Sequence, residues 1–111
     1  MLFQSLSNLI ENAARYSVEG GRIELAAEGT GARVRLHVLD EGPPIPAAEA
    51  PHVFEKFYRG AAAPASGAGT GLGLAIVRAM VELCGGRVGL TASGRGNDFQ
   101  IDLPAAAAPR P

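Results

Sequence analysis

An α+β fold, with one mixed or mostly antiparallel sheet and helices on one face, is what this sequence predicts, and two observations predict it. Two segments repeat their apolar residues with helical period, and shorter segments alternate with period two in a pair of hairpins. Their order (helix, hairpin, loop, helix, hairpin) makes two layers around one core. At 111 residues the chain has the size of one such domain.

From Leu2 to Tyr16, the apolar residues Leu2, Phe3, Leu6, Leu9, Ile10, Ala13 and Ala14 recur on one side of a helix. At about 100° per residue, Ser5, Asn8, Glu11, Asn12 and Arg15 fall in a stripe roughly 120° wide on the other side. Gly20-Gly21 ends the helix region as a turn. Arg22 to Glu28 then alternates with Ile23, Leu25 and Ala27 inward, and Arg33 to Asp40 with Val34, Leu36 and Val38 inward. Gly29-Thr30-Gly31 suits the hairpin turn between them. Asp40 shares the inward parity of Val34, Leu36 and Val38, so a carboxylate is aimed at the core side of its strand. Such a group requires hydrogen-bond partners.

Residues 42–52 hold Pro43, Pro44, Pro46 and Pro51 and read as loop, and Val53 to Arg59 reads as a short helix. Ala61 to Ala68 is small and glycine- and alanine-rich. A second amphipathic helix is expected from Leu72 to Cys84, with Leu72, Ile76, Ala79, Met80 and Leu83 as its buried stripe and Gly85-Gly86 as its stop. The closing hairpin runs Arg87 to Ala92, turns at Gly94-Arg95-Gly96, and returns over Phe99 to Leu103. The low-complexity tail PAAAAPRP begins at Pro104, so a domain over 1–104 and a disordered segment over 105–111 are expected.

Composition excludes several function classes. A 47% hydrophobic content fits a globular protein, and a net charge of −1 with mixed signs argues against a nucleic-acid or membrane partner held by bulk charge. One cysteine, Cys84, precludes an internal disulfide and fits a reducing compartment, where a small buried filler is its expected role. No apolar run approaches the roughly 20 residues that span a bilayer, and no signal-peptide pattern follows Met1. A cytoplasmic location is expected, alone or as the cytoplasmic part of a membrane-anchored protein.

Three constellations carry chemistry. Asn8, Asn12 and Arg15 put two amides and a guanidinium on one helix face. Amide oxygens are hard neutral ligands for Mg²⁺, and arginine binds phosphate oxygens bidentately. A polar helix face taken alone is ordinarily only solvated. Asp40-Glu41-Gly42-Pro43-Pro44-Ile45-Pro46 sets a recessed carboxylate near an apolar Ile45, which suits a flat ring bearing an exocyclic amine, as in adenine; the plain alternative is an aspartate opening a proline-rich turn. Gly67-Ala68-Gly69-Thr70-Gly71-Leu72-Gly73-Leu74 leads into the second helix, where backbone N–H groups and the helix N-terminus attract anions. It lacks the Lys-Ser/Thr pair of a P-loop and the preceding strand of a dinucleotide fingerprint.

Taken in order, these segments resemble the boxes of the sensor histidine kinase catalytic domain. NLIENAARYS is similar to the asparagine box, DEGPPIP to the first glycine box, VFEKFYRG to the phenylalanine box, GTGLGLAIV to the second glycine box, and GGRVGLTASGRGNDFQIDLP to the terminal hairpin. The similarity covers residues 2–104. It implies a Bergerat-type α/β sandwich holding ATP. By position, Asn12 would be the Mg²⁺ ligand with Asn8 in support, and Arg15 and Tyr16 would meet the phosphates. Asp40 would accept the adenine amino group beside Gly42 and Ile45. Phe54 and Phe57 would anchor a lid over residues 60–70, Arg59 would sit near the γ-phosphate or the partner domain, and Gly69, Thr70, Gly71, Leu72 and Gly73 would meet the phosphates. Asn12, Arg15 and Arg59 are the expected catalytic set. Related gyrase and chaperone ATPases carry a glutamate base on this helix at the position of Asn8, so Glu11 is expected to be a solvated neighbour.

The implied function is transfer of the ATP γ-phosphoryl group to a histidine of a separate helical dimerisation domain, and from there to a response regulator receiver. The alternatives are a non-catalytic docking module of the same fold and an anti-sigma-type serine kinase. The chain departs from the family in three ways. Pro44 stands where the first glycine box usually has its second glycine, and a proline there loses an N–H and fixes φ, which puts adenine affinity in question. The usual strand before the asparagine-box helix is missing, so a truncated sheet with an exposed edge is expected. His37, on outward parity with Arg33 and Arg35, and His52, after Pro51, lack the setting of a phospho-acceptor and are expected at the surface.

Overall fold

The computed structural model describes residues 2–16, 20–56, 73–92 and 96–104. The helical and alternating periods of the sequence become α1 (Leu2–Tyr16), β1 (Glu24–Thr30), β2 (Arg33–Asp40), a 3-10 turn (Ala50–His52), α2 (Gly73–Leu83), β3 (Arg87–Ala92) and β4 (Asn97–Pro104). The strands form one sheet in the order β1-β2-β4-β3, and every pairing is antiparallel. The helices pack on each other and over β2 and β3. The expected α+β sandwich is therefore present, with the antiparallel alternative realised.

Period two decides which side chains meet. Val38 pairs with Phe99, and Leu36 with Ile101. On the far edge, Leu90 and Val88 extend the same two inward rows. From the helix layer come Leu9 and Ala13 of α1 and Val77 and Val81 of α2, all buried. Phe54 closes this core from the loop side, its ring edge-on to Phe99 at 6.3 Å between centroids.

Several boundaries and faces differ from the sequence expectation. β1 starts at Glu24 rather than Arg22 and runs through Thr30, so the hairpin turns at Gly31-Ala32, with Gly31 at φ 62°. A two-residue loop needs that left-handed backbone, which glycine adopts without a Cβ clash. Leu25 has the expected inward parity but is 57% exposed, and Ala27 is exposed too. Both lie on an edge strand beyond the reach of the two helices. The segment after Val53 is turn rather than helix through Lys56; residues 57–60 lie outside the described set.

The helix faces are corrected as well. In α1, Ser5 belongs to the buried side: it is 1% exposed, and its hydroxyl donates to Sδ of Met80 at 3.7 Å. Phe3 is 81% exposed, and Ala14 is exposed. The covered arc is centred on Leu9 and Ala13 and reaches Ser5 on one flank. In α2 the buried residues are Val77 and Val81, with Leu74 packed beside them, whereas Ile76, Ala79 and Leu83 face outward. This helix is apolar nearly all round, so period alone does not select the face. Its end is as expected. Gly86 N donates to Val81 O and Gly85 N to Glu82 O, both at 3.0 Å, with Gly85 at φ 78°, which is a Schellman cap. Cys84 beside it is half-buried.

Candidate functional site

The strand parity that points Asp40 inward is realised at the end of β2, where the residue is 2% exposed. One carboxylate oxygen, Oδ1, is fully engaged. It accepts from Gly42 N at 2.8 Å, a turn of the backbone onto its own aspartate, and from Asn97 Nδ2 at 3.2 Å. The other, Oδ2, is buried with no hydrogen-bond partner among the described residues. An orphaned, buried carboxylate oxygen is costly. A ligand that donates one N–H to it relieves that cost.

The loop after Asp40 is held open from beneath. Asn97, the first residue of β4, pairs in register with Asp40 and is 3% exposed. Its Oδ1 accepts from Ile45 N at 2.9 Å, and its Nδ2 donates to Pro43 O at 3.0 Å as well as to Asp40. Ile45 packs on the core from above. Pro44 is exposed between the two pinned residues; the polar contacts use Pro43 O and Ile45 N, so no N–H is needed at position 44. Glu41 ties the loop to the chain before β1, accepting from Arg22 N at 2.9 Å. Before Asn97, Gly96 lies against the backbone of Asp40 so closely that a Cβ there would collide with it.

On α1, Asn8 and Asn12 are half-buried one turn apart, and Arg15 is exposed one turn beyond. Asn8 Oδ1 accepts from Gln4 Nε2 at 3.0 Å. Glu11 is exposed, as expected of a solvated neighbour. Gly73 opens α2, and a Cβ added there would meet no described residue within 4 Å. Phe54 is buried against Phe99. The expected roles of Phe57, Arg59, Gly69, Thr70, Gly71 and Leu72, the side chain of Tyr16, the lid over 60–70 and the tail over 105–111 lie outside the described residues.

Asn97 and Gly96 are the site residues that the sequence reading passed over, having treated the glycine as part of a turn. A signal was there. Phe99 and Ile101 face inward, so counting back by two puts Asn97 inward as well, the same parity that singled out Asp40.

Other features sit apart from this site. A groove lined by Ile45, Pro51, Phe54, Arg78, Glu82 and Leu90 shares Ile45 with the Asp40 loop but includes neither Asp40 nor Asn12. On the outer face of the sheet, His37 binds Glu28 Oε1 through Nε2 at 2.9 Å and Asp98 through Nδ1 at 3.0 Å. Burial there opposes its charge, yet the bonds to Glu28 and Asp98 together prevail and raise its pKa above the ordinary imidazole value. His37 is thus outward, as its parity predicts, but held between two carboxylates rather than free. The hydrogen bond from Arg33 leads the effects that lower the pKa of Asp102, with Arg35 adding to it.

Residues 1–107 match the family described as histidine kinase-, DNA gyrase B-, and HSP90-like ATPase. The chain is 41% identical over 101 residues to the sensor protein kinase PmrB of Pseudomonas aeruginosa, an alignment covering 89% of this chain and 21% of that protein. Among solved structures, full-length ShkA in complex with AMPPNP superposes with a TM-score of 0.79 at 35% identity, over 93% of this chain and 21% of that one. The histidine kinase ThkA in complex with the response regulator protein TrrA gives 0.76 at 30%, over 96% and 29%. The chain spans between 14% and 22% of the length of the first curated relatives it matches.

Proposed function

This chain belongs to the family of histidine kinase-, DNA gyrase B-, and HSP90-like ATPases, and on that premise we propose that residues 1–104 serve as the ATP-binding catalytic domain of a two-component sensor histidine kinase. The reaction is transfer of the γ-phosphoryl group of ATP to a histidine on a helical dimerisation domain, followed by passage to a response regulator. The observation that carries this reading is Oδ2 of Asp40, buried without a hydrogen-bond partner among the described residues, at the mouth of a loop pinned in place. The adenine exocyclic amine supplies the missing donor, and Ile45 offers the ring an apolar neighbour.

In this reading Asn12 holds Mg²⁺ through its amide oxygen, with Asn8 beside it. A neutral oxygen suits a cation that shares its site with phosphates and keeps several waters. When bound, magnesium supplies charge that offsets the phosphate oxygens. By the resemblance, Arg15 and Tyr16 would meet the phosphates, as would backbone N–H groups of the Gly69–Gly73 run, and Arg59 would act near the γ-phosphate or the partner domain. Phosphoryl transfer asks of these residues mainly positioning and charge neutralisation. The side chain at position 8 is an amide rather than a carboxylate, so it does not take a proton from water, which suits an enzyme that reserves ATP for a histidine. No helix among the described residues is long and apolar enough to cross a membrane, which is compatible with action at the cytoplasmic side of a membrane-anchored sensor.

Calorimetric titration of the chain with Mg-ATP tests the proposal. Saturable binding is expected, weakened at least tenfold by Asp40→Asn, which places a donor against the adenine amine. No binding at millimolar ATP, or equal binding by the variant, refutes it.

A further inference from the structure

We infer that Asn97 is a positioning residue for base recognition, a fixed carboxamide that reserves a single oxygen of Asp40 for the purine and sets the loop beside it. This rests on the reading of Asp40 as the adenine acceptor and adds a second residue, 57 positions away in the chain, to that site.

Hydrogen-bond chemistry leaves the amide one orientation. Ile45 N can only donate, so the oxygen of Asn97 must face it. Pro43 O can only accept, so the nitrogen must face it, and the same nitrogen reaches Asp40 Oδ1. Both N–H groups and the carbonyl are then used, and the buried side chain has no freedom to turn. Two consequences follow for Asp40. Its Oδ1 receives two donors, from Gly42 and Asn97, and is saturated for recognition. Its Oδ2 receives none from the described residues and is the oxygen left for a ligand. The carboxylate plane is fixed by the first oxygen, so the second points in one direction.

Asn97 also spans Pro44. Gripping Pro43 O and Ile45 N, on either side of the proline, it sets the spacing between Asp40 and Ile45, the polar and apolar sides of a base site. The tight fit of Gly96 against the backbone of Asp40 keeps the start of β4 close enough for these bonds to form.

The test compares ATP with inosine triphosphate, which has a carbonyl where ATP has its amine. Dissociation constants are measured with magnesium for the wild-type chain, Asn97→Leu, Asn97→Ala and Asp40→Asn, with thermal melts reporting the folded fraction. The wild type is expected to prefer ATP by at least tenfold, as a site built around one hydrogen bond does. Asn97→Leu keeps the volume and removes all three bonds; Asn97→Ala leaves space for water. Each is expected to bring the preference within about threefold, by weakening ATP while inosine triphosphate binding changes little. A residue that only stabilises the fold moves both affinities together and leaves their ratio alone. A wild-type ratio retained in either folded variant, or loss of the fold in both, overturns the inference. A wild-type ratio near one, or a ratio unchanged by Asp40→Asn, instead removes the reading of Asp40 itself, and this inference with it.

Discussion

Asp40 and Asn97 face each other across β2 and β4, and the amide nitrogen of Asn97 donates to Oδ1 of Asp40 at 3.2 Å, leaving Oδ2 without a partner among the described residues. The pair is the basis of the base site proposed above. The sheet supplies the rigid spacing, one polar side chain fixes another, and the remaining oxygen is the one the proposal gives to the purine.

Gly96→Ala inserts a methyl group into the backbone of Asp40, and Gly89→Ala places one 3.6 Å from the flexible end of Gln100. The first is expected to cost about 1–3 kcal/mol by overpacking, the second to stay within about 0.5 kcal/mol. Urea denaturation of both variants measures the difference; equal costs would show that β4 has room to move away from Asp40.

The buried face of α2 is tested by truncating opposite sides. Val77 is fully buried, and Leu83 is 78% exposed. Val77→Ala is expected to lose about 1.5–3 kcal/mol, and Leu83→Ala less than about 0.5 kcal/mol. The reverse ranking would restore the stripe through Ile76 and Leu83 that the sequence alone suggests.

His37 makes stability depend on pH. Its folded pKa is raised, because the bonds to Glu28 and Asp98 outweigh burial. The protonated form is therefore favoured by folding. That contribution is complete below the unfolded value of about 6.5 and disappears as pH rises through the folded value. Melting temperatures of the wild type and His37→Gln should differ most below the unfolded value and converge as the pH rises past the folded one. A gap that widens with rising pH contradicts the pairing.

Asp102 acts in the opposite direction. Its pKa is lowered first by the hydrogen bond from Arg33, so its contribution is present at neutral pH and is lost as acid brings the solution through the folded value. Arg33 and Arg35 are 42% and 46% exposed, and solvent screens such pairs. Asp102→Asn is therefore expected to cost no more than about 1 kcal/mol at pH 7. Chemical denaturation at pH 7 and below pH 3 should show that cost shrinking in acid.

Much of this site was legible in the chain. The inward parity of Asp40, the shared helix face of Asn8, Asn12 and Arg15, and the glycine stop of α2 all follow from local periods and turn chemistry, and each is found where those rules put it. Asn97 was within reach of the same parity rule but was hidden by the adjoining Gly94-Arg95-Gly96, which reads as a turn. The exposure of Leu25 had no local signal, because its alternation is that of any half-buried strand.

What the sequence by itself determined is the set of elements, their order and the parity of each strand, since helical and extended backbones have fixed repeats that neighbouring residues must obey. Only the tertiary structure decided which apolar face of α2 is covered, that β1 lies beyond the helices, that His37 sits between carboxylates of two strands, and that one oxygen of Asp40 is taken by Asn97. Those outcomes depend on contacts between residues far apart in the chain, whose partners are chosen by the packing of whole elements rather than by any local pattern.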